Sequence, residues 1–105
     1  MVNRNFKIAI VGGGAAGITV AALLRRLCNT IGTSEIVVVE PSEVHYYQPA
    51  LTLVGAGITS ITSIRKSTGA LIPAGVSWLQ DWVDEFFPKE NRLKLRSGDA
   101  IEYEY

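Results

Sequence analysis

"VGGGAAGITVAALLRRL", residues Val11 to Leu27, sets four glycines and four alanines against a run of leucines and arginines. Its neighbours give it a structural context. Lys7 to Val11, "KIAIV", is a short apolar run ending at glycine, the pattern of a strand buried on both faces of a parallel sheet. Beyond the glycines, Val20, Leu24, Leu27, Cys28 and Ile31 recur at helical spacing, so a helix is predicted over 15–31, with Gly32 as its C-terminal cap. Glu35 to Val39, "EIVVV", is a second β-branched run, closed by Glu40 and Pro41. Strand, helix and strand make a βαβ unit with a right-handed crossover, which predicts an α/β fold with parallel strands.

Within that unit Gly12, Gly14 and Gly17 form G-x-G-x-x-G directly after a strand and at the start of a helix, the context of a Rossmann-like dinucleotide fingerprint. Gly12 allows the tight turn, Gly14 lets the main chain approach a pyrophosphate, and Gly17 lets the helix lie close to the sheet. Ala15 and Ala16 keep the mouth small, while backbone N–H groups and the helix dipole hold the charge without a cationic side chain. Glu40, at the end of the second strand, is positioned to accept hydrogen bonds from ribose hydroxyls and to repel a 2′-phosphate, which argues against NADP. The alternative is structural: glycines that only shape a turn, and an acid that only caps a strand. The fingerprint does not separate FAD from NAD, but its place at the start of the chain is the common one for FAD in two-dinucleotide flavoenzymes.

Composition narrows the classes further. A chain of 105 residues, 48% hydrophobic and 19% charged, suits one small domain. Ten basic and ten acidic residues cancel, leaving no electrostatic footprint for nucleic acid or an anionic membrane surface. Cys28 is the only cysteine, which excludes an internal disulfide or a thiolate metal cage and fits a reducing compartment; on the apolar helix face it reads as a buried, inert thiol. No metal site is expected. The opening residues lack the zones of a signal peptide, so the chain reads as cytoplasmic as written. The uncharged tract from Tyr46 to Ile64 is too interrupted by Gln48, Pro49 and glycines to span a bilayer.

Residues 41–75 show no sustained period beyond a short helical turn around Leu51 to Val54, and so long an irregular stretch is usually functional. Val76 to Phe87 reads as one aromatic-rich strand and Pro88 to Asn91 as a turn. An antiparallel hairpin follows. With Ser97, Gly98 and Asp99 as a three-residue loop, Leu95 would face Ile101, Lys94 Glu102, Leu93 Tyr103 and Arg92 Glu104. His45 reads as a locally hydrogen-bonded loop residue, Tyr46 and Tyr47 as packing, the aromatic residues Trp78, Trp82, Phe86 and Phe87 as core or interface, and Arg65 and Lys66 as solvated surface.

"EPSEVHYYQPALTLVGAG", Glu40 to Gly57, followed by "IPAGVSWLQDWVDEFFP", Ile72 to Pro88, resembles the sulfide:quinone oxidoreductases, within the FAD-dependent pyridine nucleotide-disulfide oxidoreductase group. The match spans nearly the whole chain. The resemblance implies that Gly12, Gly14, Ala15, Ala16 and Gly17 lie against the FAD pyrophosphate, that Glu40 takes the adenosine ribose, that Gln48 and Pro49 lie on the flavin side, and that Val83 offers its backbone to the adenine. It also makes His45 a candidate for tuning near the flavin. Asn29 to Ser34 lengthens the span between the glycine turn and Glu40, a departure expected to enlarge only a surface turn.

Family members run several times this length. Their sulfur-relaying cysteines, second nucleotide-like domain and quinone-binding surface lie beyond the counterpart of Tyr105. Residues 1–105 are therefore expected to be the N-terminal part of an FAD/NAD(P)-binding Rossmann-like domain, an incomplete one, carrying no catalytic residue of its own. Sulfide and quinone are partners of the parent, which the family places on the cytoplasmic or mitochondrial matrix face of a membrane. The runner-up is another flavoprotein of the group, such as a type II NADH:quinone dehydrogenase. A third reading is a non-catalytic nucleotide-binding module that forms a homodimer through exposed sheet edges.

Overall fold

The computed structural model describes residues 3–27 and 35–105. Cys28, the predicted helix end at Ile31 and Gly32, and the Asn29 to Ser34 insertion lie outside the described residues.

The predicted βαβ unit forms. Strand β1 (Asn3–Phe6) runs into β2 (Ile8–Val11); helix α1 (Ala15–Leu27) follows, then β3 (Ile36–Val39). Strands β2 and β3 are parallel, with Ile8 opposite Ile36 and Val11 opposite Val39. Strand β6 (Ser77–Leu79) joins the far side of β3, also parallel, to give a three-stranded sheet β2-β3-β6.

A second sheet has the order β1-β9-β8-β7, from β7 (Val83–Phe87), β8 (Arg92–Leu95) and β9 (Ala100–Tyr103). The expected hairpin is its centre, but the sheet is larger and mixed, because β1 pairs with β9 in parallel, Asn3 opposite Ala100. The hairpin register differs from the expected one by two residues: Leu93 faces Ile101, Arg92 faces Glu102 and Lys94 faces Ala100. Gly98 decides this. Its φ of +99° is cheap only for glycine, so Gly98 becomes the last residue of a loop over 96–98, and Leu95 N–H bonds the Asp99 carbonyl at 2.8 Å. A slip of two keeps every side chain on its expected face.

Val76 to Phe87 is two strands rather than one. The Asp81 N–H turns back onto the Leu79 carbonyl at 3.0 Å and the Asp81 carboxylate accepts the Trp82 N–H at 2.7 Å. This local turn carries the chain from the parallel sheet to the antiparallel one.

All four residues of β3 are buried, and their alternation divides the core. Val37 and Val39 meet Leu93, Leu95 and Ile101 of the second sheet. Ile36 and Val38 meet Ala21 of α1 and Val76. The layers are thus helix, parallel sheet and mixed sheet. Helix α1 buries a different face from the expected one: Ala21 is fully buried and Leu24 packs beside it, whereas Val20 and Leu27 are 45% and 69% exposed. Gly17 causes this. It brings the helix so close to the turn that the small Ala21, one turn on, takes the contact with the sheet.

The stretch 41–75 holds more order than expected. Strands β4 (Val44–Tyr46) and β5 (Arg65–Ser67) form a short antiparallel ribbon, His45 opposite Lys66, separated by a 3-10 turn over Gln48–Ala50 and helix α2 (Leu51–Gly55). Helix α3 (Thr68–Leu71) leads toward β6. The ribbon's strands are three residues each, too short to show a period in sequence.

Candidate functional site

The Gly12 N–H donates to the Val39 carbonyl at 2.8 Å, extending the β2–β3 ladder by one bond before the chain turns with φ +102°. Only glycine takes that angle without strain. A Cβ on Gly17 would run into the carbonyl oxygen of Gly12, so the helix reaches its depth only with glycine there. Gly13, at a position the fingerprint leaves free, is buried, and a Cβ on it would lie 2.7 Å from Cβ and 2.8 Å from Cγ of Glu40. Gly14 differs from the other three: its φ is not positive, it is exposed, and a Cβ would meet nothing within 4 Å.

Glu40 is held from several sides. Its Oε1 accepts the Gly13 N–H and its Oε2 the Ser42 N–H, both at 2.9 Å. Its own N–H donates to the Leu79 carbonyl, and its carbonyl accepts the Trp78 indole N–H, both at 3.0 Å. A carboxylate offers about four lone-pair sites, so two remain for hydroxyl donors.

A cleft of about 520 Å³ opens beside this carboxylate, at the C-terminal ends of β2 and β3. Ligands of open α/β sheets bind at that edge. Gly12, Glu40, Asp81, Trp82, Val83 and Phe86 are among its walls. Two acids and no base line it, so an anion there depends on backbone N–H groups and the α1 dipole. The Asp81 carboxyl is held below the usual carboxylate range, chiefly by the Ser97 hydroxyl; burial works against this, and the Trp82 N–H and nearby Arg96 assist. Arg96 also stacks on Trp82, 4.9 Å from the ring centroid. Val83 begins β7 at a register irregularity between Val83 and Glu85, where backbone groups are released from the ladder.

The residues expected to bind a cofactor therefore fall into groups. Gly12, Glu40 and Val83 line one cleft. Gly14, Ala15 and Ala16 are exposed at the start of α1, with Gly17 packed beneath. Gln48 and Pro49 lie apart, exposed in the 3-10 turn. Sequence reasoning overlooked Gly13, Ser42 and Asp81; the middle glycine of "GGG" was the available signal for the first. Trp82 and Phe86, expected in a core or interface, are 53% and 58% exposed and face the cleft. Tyr46 and Tyr47, expected to pack, are also exposed. Among the described residues no cluster of His, Cys, Asp or Glu could hold a metal ion, and no helix is long and apolar enough to cross a membrane.

No family model matches the chain. Over 102 residues, 97% of its length, it is 44% identical to the mitochondrial sulfide:quinone oxidoreductase of Mus musculus, and over 99 residues, 94% of its length, 48% identical to that of Dictyostelium discoideum. It spans 22% of each of those proteins. Its fold is similar to the X-ray structure of the sulfide:quinone oxidoreductase from the hyperthermophilic bacterium Aquifex aeolicus, with a TM-score of 0.80 at 23% identity, covering 97% of this chain and 23% of that one. The chain is, over nearly its whole length, a homologue of the sulfide:quinone oxidoreductases, and it corresponds to 22% of the mitochondrial proteins it matches.

Proposed function

We propose that residues 1–105 form the adenosine-diphosphate part of an FAD cradle in a flavoprotein oxidoreductase of the sulfide:quinone type. Gly14 carries this reading. Neither backbone angle nor internal packing asks for glycine there, which leaves the close approach of an external group as the reason we give for it. The other glycines of the motif are used up by the turn, by Glu40 and by helix packing.

In this reading Gly12, Gly14, Ala15, Ala16 and Gly17 lie around the pyrophosphate, Glu40 receives the adenosine ribose hydroxyls on its remaining lone pairs, and Val83 meets the adenine. Gln48 and Pro49 stand on the flavin side. When bound, FAD supplies a ring that accepts two electrons from a reduced substrate and passes them on. What this chain supplies is placement: neutral N–H donors for the diphosphate, a carboxylate for the sugar, and an apolar cleft for the base. Sulfide and quinone are the substrates proposed for the whole protein, which is proposed to sit peripherally on a membrane face. Self-association through the open edges of its sheets is the competing role.

Titration calorimetry with ADP, FAD and FMN tests the assignment. ADP and FAD bind, and FMN, which lacks the adenosine half, does not. Binding of FMN as tight as that of FAD, or silence toward ADP, overturns it.

A further inference from the structure

The sequence has one histidine, His45 on β4. It lies between the glycine turn and a second cavity, about 370 Å³, which it lines with Tyr47, Lys66 and Leu71. Its ring Nδ1 stands 3.4 Å from the carbonyl oxygen of Gly13. A carbonyl only accepts, so the tautomer this contact selects carries its proton on Nδ1. Gly13 is thereby gripped at both ends, its N–H by Glu40 and its C=O by His45.

The consequence falls on the next peptide unit. In a planar trans peptide the C=O and the following N–H point to opposite sides. Holding the Gly13 carbonyl toward His45 therefore turns the Gly14 N–H away from it. That N–H makes no hydrogen bond among the described residues, and Gly14 borders open space. Two consecutive glycines leave this peptide free to rotate, so its orientation has to be imposed by a partner outside the turn.

We propose that His45 is a positioning residue of the diphosphate site, fixing the Gly13–Gly14 peptide so that the Gly14 N–H is presented to the anion. It touches no part of the ligand and acts through the main chain. The inference rests on the diphosphate reading given above.

The test compares ADP with adenosine, which lacks the phosphates, by titration calorimetry on the full chain and its variants. His45→Ala is expected to weaken ADP binding about tenfold, the worth of one hydrogen bond to a charged group, and to leave adenosine binding unchanged. His45→Asn, which keeps an N–H donor near the position of Nδ1, restores ADP binding. Where His45→Ala lowers the melting temperature, His45→Leu, closer in volume and also without a donor, replaces it. Unchanged ADP affinity in the variants lacking a donor, an equal loss for adenosine, or no rescue by asparagine overturns the role of His45 while the diphosphate site stands. A wild-type chain that does not bind ADP removes the site itself, and His45's role with it.

Discussion

Alanine at Gly13 and at Gly14 separates folding from binding, because the two glycines are small for different reasons. At Gly13 the new methyl meets Cβ and Cγ of Glu40 inside 3 Å, and both are held by the strand end and by two hydrogen bonds to the carboxylate. Gly13→Ala should therefore behave as an overpacking change costing about 1–3 kcal/mol, seen as a lower urea midpoint. Gly14→Ala meets open space and should stay within about 0.5 kcal/mol of wild type while weakening ADP binding at least about tenfold, since its methyl occupies the ligand's approach. If Gly14→Ala binds ADP normally, the approach of the diphosphate to that residue is wrong. The G-x-G-x-x-G pattern made Gly14 readable in the sequence. It left Gly13 silent, because that role depends on a side chain 27 residues away.

Secondary-structure elements tell a related story through the β8–β9 hairpin, whose loop is set by one backbone angle. Gly98→Ala forces a side chain into φ +99° and should cost about 1–2 kcal/mol in thermal or urea unfolding. An unchanged stability would mean that the loop takes another register. Alternation in "RLKL" and "IEY" did reveal the hairpin and the face of each residue, since those follow from a period of two. The exact pairing was less visible. Charge matching favoured Arg92 with Glu104, yet exposed ion pairs are worth little, and the glycine angle outweighed them. The βαβ core was legible for the opposite reason: "IAIV" and "IVVV" are continuous because both faces are covered. The strand β1 and the β4–β5 ribbon were not, because each is decided by partners far along the chain.

Across the molecule, the described fold is open for its length. Its radius of gyration is 15.3 Å, against about 13 Å for a compact chain of this size, and its extents are 47 × 32 × 21 Å. The buried apolar core reduces to β3 and its two sets of neighbours, while Val20, Leu23 and Leu27 of α1 remain exposed. Little surface buried means small stability, and a ligand that binds only the folded state then matters greatly. Free ADP or FAD at a hundredfold excess over its dissociation constant adds about 2.7 kcal/mol, and each kcal/mol moves the melting temperature of a domain this size by about 4–8 °C. Scanning fluorimetry should accordingly show a rise of about 10–20 °C with ADP or saturating FAD. Riboflavin and FMN should leave the melting temperature where it was. The contrast between the two ligand sets matters more than the size of the shift. A cradle for the adenosine diphosphate is stabilised by whatever carries that half, so an equal rise with FMN would place the binding energy on the isoalloxazine side, around Gln48 and Pro49, and not at the glycine turn.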